Sequence, residues 1–176
     1  MIQMLRFMAV LTAVAMPSLV AAHEYKVGDL VIDHPAAKTT PASAMTGAGY
    51  LTITNNGDAA DTLIAVEADF PRVEIHDVKV ENDVATMFQI EGAEIAPGES
   101  VTFAPGGKHI MFMGLDGDPF EKGETVNATL VFETAGSIEV VFDVETLEEI
   151  VERVGSGHMD GMKMDHGEGH DDHSNH

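Results

Sequence analysis

Alternation of apolar and polar residues, the pattern of half-buried β-strands, recurs along the chain between residues 27 and 144. Turn-forming Asn, Gly, Asp and Pro residues separate these segments at intervals of about 8–12 residues, which is typical of antiparallel sandwiches and barrels. The sequence therefore predicts an all-β Greek-key sandwich or barrel. The predicted strands are Val27–Asp33, Gly47–Asn55, Thr62–Ala68, Val73–Val80, Val84–Ile90, Ser100–Phe103, Lys108–Met113, Thr125–Glu133 and Ser137–Val144.

A short amphipathic helix is predicted after the last strand. Thr146 and Glu149 have the spacing of a capping box, and Gly155 is the predicted end of the helix. We expect this helix to close one end of the barrel. Its apolar face, at positions i, i+3, i+4 and i+7, consists of Leu147, Ile150, Val151 and Val154.

The first 22 residues have the pattern of a secretory signal peptide. Met1–Arg6 is short and positively charged, Phe7–Met16 is mostly apolar, and Leu19–Ala22 ends in small residues. Such a leader would direct export, most simply to a bacterial periplasm. Cleavage near Ala22 would leave His23 as the first residue of the mature protein. The apolar run is shorter than the roughly 20 residues that span a membrane, so no stable membrane insertion is predicted.

Residues 23–155 have a length typical of one domain, and the composition changes abruptly after them. Residues 156–176 lack a hydrophobic pattern and are predicted to be a disordered tail. The tail is interpreted as a flexible metal-binding arm, with a merely polar, solubilising end as the alternative. Its potential ligands are His158, Met159, Met162, Met164, His166, His170, His173 and His176.

Charge and composition narrow the classes of function. The chain carries 30 acidic and 9 basic residues, giving a formal net charge of −21, which disfavours nucleic acid and favours cations or a basic partner. It contains no cysteine, so a metal site must use His, Met, Asp and Glu. Neither a cysteine nor a serine in a recognisable elbow is present as a nucleophile, and we predict that the protein is not an enzyme.

Candidate metal chemistry is concentrated in residues 106–115, GGKHIMFMGL. Alternation along a strand sends His109, Met111 and Met113 to one face and Ile110 and Phe112 to the other. Imidazole and thioether donors together suit Cu(I), whereas Mg, Ca and Mn prefer oxygen. A strand whose methionines only fill gaps in the core remains the alternative.

A second His and Met pair lies in the predicted hairpin around Asn82. If its loop has two residues, His76 faces position 87 or 89, and Met87 shares its face in either case. A three-residue loop would place them on opposite faces. Together with His109 and Met111, this hairpin would supply a site of two histidines and two methionines if strand 73–80 lies near strand 108–113.

The spacing of these residues resembles the PCuAC family of periplasmic copper chaperones. Ten residues separate His76 from Met87, twenty-one separate Met87 from His109, and one separates His109 from Met111. Residues 106–115 resemble the most characteristic segment of the family, and the resemblance extends from about His23 through Pro119 and the final strand.

The resemblance implies a cupredoxin-like fold and a solvent-accessible Cu(I) site formed by His76, Met87, His109 and Met111. It implies delivery of copper to the dinuclear centre of cytochrome c oxidase. The implied partner is the copper-bearing subunit of that oxidase or another periplasmic copper chaperone. His and Met tails in some members are associated with additional copper, and Cu(II) is a candidate here. Ala36–Lys38 replace a Trp and an Arg that many members have, which affects partner contacts rather than the ligands.

Several alternatives remain open from the sequence. A periplasmic copper buffer or tolerance protein would use the same ligands without specific delivery, and zinc carriage would suit the tail histidines but not the methionines. His23 could chelate Cu(II) as the N-terminal residue of an oxidative copper enzyme, although the chain is poor in aromatic residues. His34 is expected to be a structural or surface residue, and Met113 is expected to have a packing or rim role rather than to be a fifth ligand.

Overall fold

The computed structural model describes residues 24–157, which form a β-sheet with one helix. The elements are β1 (Glu24–Val27), β2 (Leu30–Lys38), β3 (Thr46–Asn55), β4 (Asp61–Ala68), β5 (Arg72–Glu81), β6 (Val84–Gln89), β7 (Ala93–Ile95), β8 (Ser100–Phe103), β9 (His109–Met113), β10 (Thr125–Phe132), β11 (Ser137–Glu145) and α1 (Leu147–Gly157).

The strands are hydrogen-bonded in the order β6-β5-β9-β3-β2-β11-β10-β4-β7, with β1 beside β2 and β8 beside β3. All pairings are antiparallel except that of β2 with β11. The prediction of an all-β fold is confirmed. Of the two predicted forms, sandwich or barrel, the structure excludes the closed barrel, because β6 and β7 are not paired with each other in the described sheet and remain its two edges. The sheet is therefore mixed and open.

One hydrophobic core lies between the part of the sheet that contains β5 and β9 and the part that contains β4 and β10. Ile75 of β5 and Ile110 of β9 are buried in the same cluster as Leu63 of β4 and Leu130 of β10, so these two parts of the sheet face each other. Phe112 is fully buried among other phenylalanine rings in tilted or edge-on contacts. The apolar face of β9 thus points into the core, and its His and Met face points away from it.

Two features of the strand prediction are corrected by the structure. The predicted strand Val27–Asp33 is two strands, because the chain reverses at Gly28, whose φ of 56° is left-handed, and Val27 pairs with Leu30. The three-residue β7, Ala93–Ile95, was not predicted, since it is too short to show alternation. It nevertheless pairs with β4 and buries its ends.

The helix begins with the predicted capping box. The backbone N–H of Glu149 donates to Thr146 Oγ1 at 3.4 Å, and that of Thr146 donates to Glu149 Oε2 at 3.0 Å. The helix continues past Gly155 to Gly157, so the predicted end was two residues early. It does not close a barrel end, because Ile150 packs with Tyr50 on one face of the sheet.

None of the helical segments within residues 24–157 is long and apolar enough to cross a membrane.

Candidate metal centre

His76 and His109 lie side by side on neighbouring strands. His76 is paired with Gln89 of β6 on one side and with His109 of β9 on the other. Directly paired residues project from the same face of a sheet. The two imidazole rings accordingly have centroids 5.8 Å apart and planes inclined by 50°. The fold thus brings together two nitrogen donors that are distant in sequence.

The two candidate thioethers flank His76 on the same face. Met111 of β9 is paired with Glu74, which makes it a diagonal neighbour of His76. Met87 of β6 is paired with Val78, which makes it a diagonal neighbour from the opposite side. Diagonal neighbours are about 7–8 Å apart, within reach of long side chains. All four candidate ligands therefore share one face.

The candidate centre extends from a buried residue to an exposed edge. His109 is only 6% exposed, whereas Met87 is 61% exposed. Every residue of β6 is exposed, and this strand is an edge of the sheet. A metal ion at these residues could be approached from the β6 side.

The hairpin that positions His76 and Met87 has the predicted two-residue loop. Asn82 and Asp83 have φ values of 51° and 63°, as a type I′ turn requires, and Glu81 pairs with Val84 across them. This turn sets the register in which His76 opposes Gln89. The predicted common face of His76 and Met87 is confirmed.

The glycine turn before β9 positions His109 and selects its tautomer. The Gly107 N–H donates to the Ala104 carbonyl at 3.0 Å, and the Ala104 N–H donates to the Lys108 carbonyl at 2.9 Å. His109 Nδ1 lies 2.8 Å from the Gly107 carbonyl oxygen. Because a carbonyl only accepts, Nδ1 carries the proton and Nε2 keeps its lone pair for a metal.

Glu74 makes the corresponding contact with His76. Its Oε2 lies 2.7 Å from His76 Nε2, and the two side chains are 13% and 15% exposed. A carboxylate accepts the hydrogen bond, so Nε2 carries the proton of the neutral ring and Nδ1 keeps the lone pair. Glu74 was not predicted as part of the site. The available signal was its position two residues before His76, which places both on one face.

Arg72 connects Glu74 to Met113. Its Nε lies 3.1 Å from Glu74 Oε1, and its Nε and Nη2 lie 3.1 and 2.9 Å from Met113 Sδ. Met113 shares its face with Met111, as predicted, but its sulfur accepts hydrogen bonds from a guanidinium group. The two methionines of β9 are therefore in different environments.

An ion pair on the opposite face joins β5 to β9 beside the histidines. Lys108 Nζ lies 2.8 Å from Asp77 Oδ2. This contact lowers the pKa of Asp77 below its ordinary value. The pair joins Asp77 of β5 to the residue just before β9, near the end where His76 and His109 meet.

The remaining candidate residues lie elsewhere. His34, with φ of 50°, occupies a register shift in β2 and lines a cleft of about 810 Å³ beside Tyr50 and Ile150. None of the residues lining this cleft is one of the four candidate ligands. His23 and the eight candidate ligands of the predicted tail, from His158 to His176, lie outside the described residues. Across residues 24–157, no group of three or more His, Asp or Glu side chains is placed to hold a metal ion.

Comparison with known sequences identifies the family of this chain. The family model described as "Putative lipoprotein LpqE-like" matches residues 30–144. The chain belongs to the LpqE-like family. A curated relative of this LpqE-like chain is "Putative lipoprotein Lxx21020" from Leifsonia xyli subsp. xyli (strain CTCB07). The two are 30% identical over 105 residues, which cover 58% of this chain and 62% of the relative. The chain thus spans less than two thirds of that relative's length.

Solved structures place the folded part of this LpqE-like chain among PCuAC domains. The apo PCuAC domain from PmoF1 is 30% identical, with 70% of this chain and 99% of that domain covered and a TM-score of 0.61. The copper-bound PCuAC domain from PmoF2 is 30% identical, with coverages of 70% and 98% and a TM-score of 0.57. The CuI form of DR1885 from Deinococcus radiodurans is 26% identical, with coverages of 72% and 83% and a TM-score of 0.53.

The resemblance to PCuAC domains and the cupredoxin-like fold that it implied are confirmed. The relatives include copper-bound structures, so the likeness supports copper binding by this LpqE-like chain.

Proposed function

We propose that this protein is a periplasmic copper chaperone that binds Cu(I) through His76, Met87, His109 and Met111 and transfers it to an acceptor. The proposal is carried by one observation, the pairing of His76 with His109 in a register that puts a methionine diagonal to His76 on each side. Such a mixed set of imidazole and thioether donors suits Cu(I).

The donor chemistry fits a carrier that must release its metal. Thioethers are neutral and bind Cu(I) without losing a proton, whereas cysteine ligands must be deprotonated to bind. The exposed position of Met87 at the β6 edge lets an acceptor ligand approach copper. This exposure supports transfer of copper to another protein rather than chemistry on a bound substrate. We propose that the protein is not an enzyme.

The proposed recipient is the copper-bearing subunit of cytochrome c oxidase or another periplasmic copper chaperone. This part of the proposal rests on the resemblance to PCuAC chaperones. Export is proposed from the leader pattern of residues 1–22, with cleavage near Ala22, and agrees with the lipoprotein names of the family model and the curated relative.

The tail supports a second candidate function. The eight His and Met residues between His158 and His176 could bind additional copper, including Cu(II), and would favour storage over delivery. A copper buffer or tolerance protein therefore remains the alternative. We propose that residues 23–155 are the copper-binding domain and that residues 156–176 supplement it.

A Cu(I) competition titration against a chelator of known affinity tests the proposed site. The protein is the full-length chain with the eight tail His and Met residues replaced by serine, which isolates the domain without shortening the chain. Met111→Leu removes one proposed sulfur at nearly constant volume. Met113→Leu is the matched control, since it lies on the same strand and face but its sulfur contacts Arg72.

We expect one tight equivalent of Cu(I), a loss of affinity of at least about tenfold in Met111→Leu, and a change of less than about twofold in Met113→Leu. Removing groups that only orient metal ligands already costs about 10–100-fold, so a lost ligand should cost no less. Absence of a tight equivalent, or equal losses in the two variants, would contradict the proposed site. Retention of copper in the presence of an apo oxidase subunit would favour the buffer.

A further inference from the structure

We infer that Glu74 is a positioning residue of the copper centre. It holds the His76 ring with Nε2–H directed to its carboxylate, so that Nδ1 is the nitrogen offered to the metal. Arg72, which contacts Glu74, also engages the sulfur of Met113 and so favours Met111 as the thioether ligand of β9. This inference rests on the proposed function, because it concerns how the same site is prepared for Cu(I).

The two histidines are held in opposite tautomers by acceptors of different kinds. His109 donates from Nδ1 to the Gly107 carbonyl, whereas His76 donates from Nε2 to the Glu74 carboxylate. The first acceptor is backbone and is present whatever the side chain at position 107. The second is a side chain, so the orientation of His76 depends on one substitutable residue.

Burial makes the contact between Glu74 and His76 the stronger part of this network. Both side chains are mostly buried, at 13% and 15% exposed, and their atoms are 2.7 Å apart. Hydrogen bonds to an ionised acceptor are about twice as strong as neutral ones. Histidine ligands in metal sites generally depend on such an acceptor for ring orientation and basicity. Loss of Glu74 should therefore affect the site more than loss of Arg72, which is 65% exposed.

Arg72 distinguishes the two methionines of β9. Two of its guanidinium nitrogens lie 3.1 and 2.9 Å from Met113 Sδ, so the sulfur electrons of Met113 face a positive charge. A second cation at that sulfur would meet electrostatic repulsion. Met111 is paired with Glu74 instead, between the position opposite Arg72 and the position opposite His76. The ion pair of Arg72 with Glu74 thus orients the His76 imidazole and leaves Met111, rather than Met113, as the available thioether of β9.

Nitrogen-15 NMR of the histidine rings in the copper-free full-length chain tests the role of Glu74, because each tautomer has distinct nitrogen shifts. Under conditions where the rings are neutral, we expect His76 in the Nε2–H form and His109 in the Nδ1–H form. Glu74→Ala should convert His76 to a mixture while His109 stays unchanged. Asp77→Asn is the matched control, since it removes a carboxylate beside His76 on the opposite face and should leave both tautomers as they are.

Glu74→Gln keeps an acceptor oxygen and the side-chain volume, so it provides a second variant that preserves packing. We expect Cu(I) affinity to fall by about 10–100-fold in Glu74→Ala and by less in Glu74→Gln. An unchanged His76 tautomer in Glu74→Ala, or an Nδ1–H form in the unsubstituted chain, would overturn the inference even if copper binds normally. Failure of the unsubstituted chain to bind Cu(I) would instead overturn the proposed function, and the two failures are distinguishable.

X-ray absorption of the Cu(I)-loaded chain with the serine-substituted tail tests the role of Arg72. Two sulfur ligands are expected in the unsubstituted domain. Arg72→Ala frees Met113, so we expect additional or heterogeneous sulfur coordination that disappears when Met113→Leu is added. Identical sulfur coordination with and without Arg72 would overturn this part of the inference.

Discussion

Asn55 is a buried polar residue that holds the end of β3 in place. It is 2% exposed, and its Nδ2 donates to the Ala59 and Ile95 carbonyls at 2.8 and 3.0 Å. Its Oδ1 accepts from the Gly57 N–H at 2.9 Å. A buried amide is tolerated when its donors and acceptor are satisfied, as they are here. One side chain thereby joins β3, the following loop and β7.

Asn55→Asp should strongly destabilise the domain. The carboxylate has no donor for the two carbonyls, and its charge would face their oxygens in a buried position. Each unsatisfied buried group costs about 1–3 kcal/mol, and a charge costs more, so we expect a loss of at least about 3 kcal/mol in the free energy of unfolding. Urea denaturation measures it. Asn56→Asp, at the exposed neighbouring position, should cost less than about 0.5 kcal/mol; equal losses would refute the role of Asn55.

At the scale of single residues, the sequence predicted the strand face on which a side chain lies better than it predicted the contacts between side chains. Alternation correctly separated Ile110 and Phe112, which are buried, from the residues of β9 on the opposite face. The contact of Arg72 with Met113 could not be predicted in the same way. It depends on which residue of β9 lies opposite each residue of β5, and that register is set by long-range packing rather than by periodicity.

The β5–β6 hairpin shows when an element can be predicted in detail. Its two-residue loop fixes the register locally, so the common face of His76 and Met87 could be predicted from the sequence once that loop length was assumed. The chain reversal at Gly28 was not predicted, because the alternation of apolar and polar residues continues through it, although Gly-Asp is a known turn pair. Short strands such as β7 form because a neighbour pairs with them, and a local pattern cannot reveal that.

The first turn of α1 is sensitive to acid through Glu149. Hydrogen bonds from Lys122 and from the Thr146 backbone and hydroxyl lower the pKa of Glu149 to about 2. A carboxylate with a lowered pKa in the folded state stabilises that state above its unfolded pKa of about 4.3. This contribution is lost as the pH falls from about 4.3 to about 2.

Glu149→Gln should therefore destabilise the protein at pH 7, and the difference from the unsubstituted chain should shrink as the pH falls from about 5 to about 2. The urea midpoint measured at several pH values reports this difference. Glu148→Gln removes a charge from the same turn and serves as the control, for which we expect a smaller effect of pH. A difference that stays constant down to pH 2 would contradict the assignment to Glu149.

For the whole molecule, the sequence predicted the class of fold but not its closure. Strand composition and the resemblance to PCuAC domains led to the confirmed cupredoxin-like architecture. Closure depends on whether β6 and β7 meet, and nothing local in either strand specifies that. The open β6 edge is the side on which Met87 is exposed, so the absence of closure leaves the proposed site accessible from that edge.

Net charge should control which acceptors remove copper from this protein. The formal charge is −21, and near the proposed site Arg72 pairs with Glu74 and Lys108 with Asp77, so long-range repulsion comes from the rest of the chain. The Debye length falls from about 30 Å at 0.01 M salt to about 8 Å at 0.15 M. Extraction of Cu(I) by an anionic chelator should therefore accelerate with salt, by about tenfold or more.

A neutral chelator of similar affinity should remove Cu(I) at a rate that changes little over the same range, and a cationic acceptor should become slower. Stopped-flow absorbance of the chelator complex measures all three rates. Equal salt dependence for the anionic and neutral chelators would show that the acidic surface does not act at the site. The expected pattern would mean that the surface discriminates among acceptors before any ligand exchange, which favours a basic recipient over small anionic competitors for the same copper.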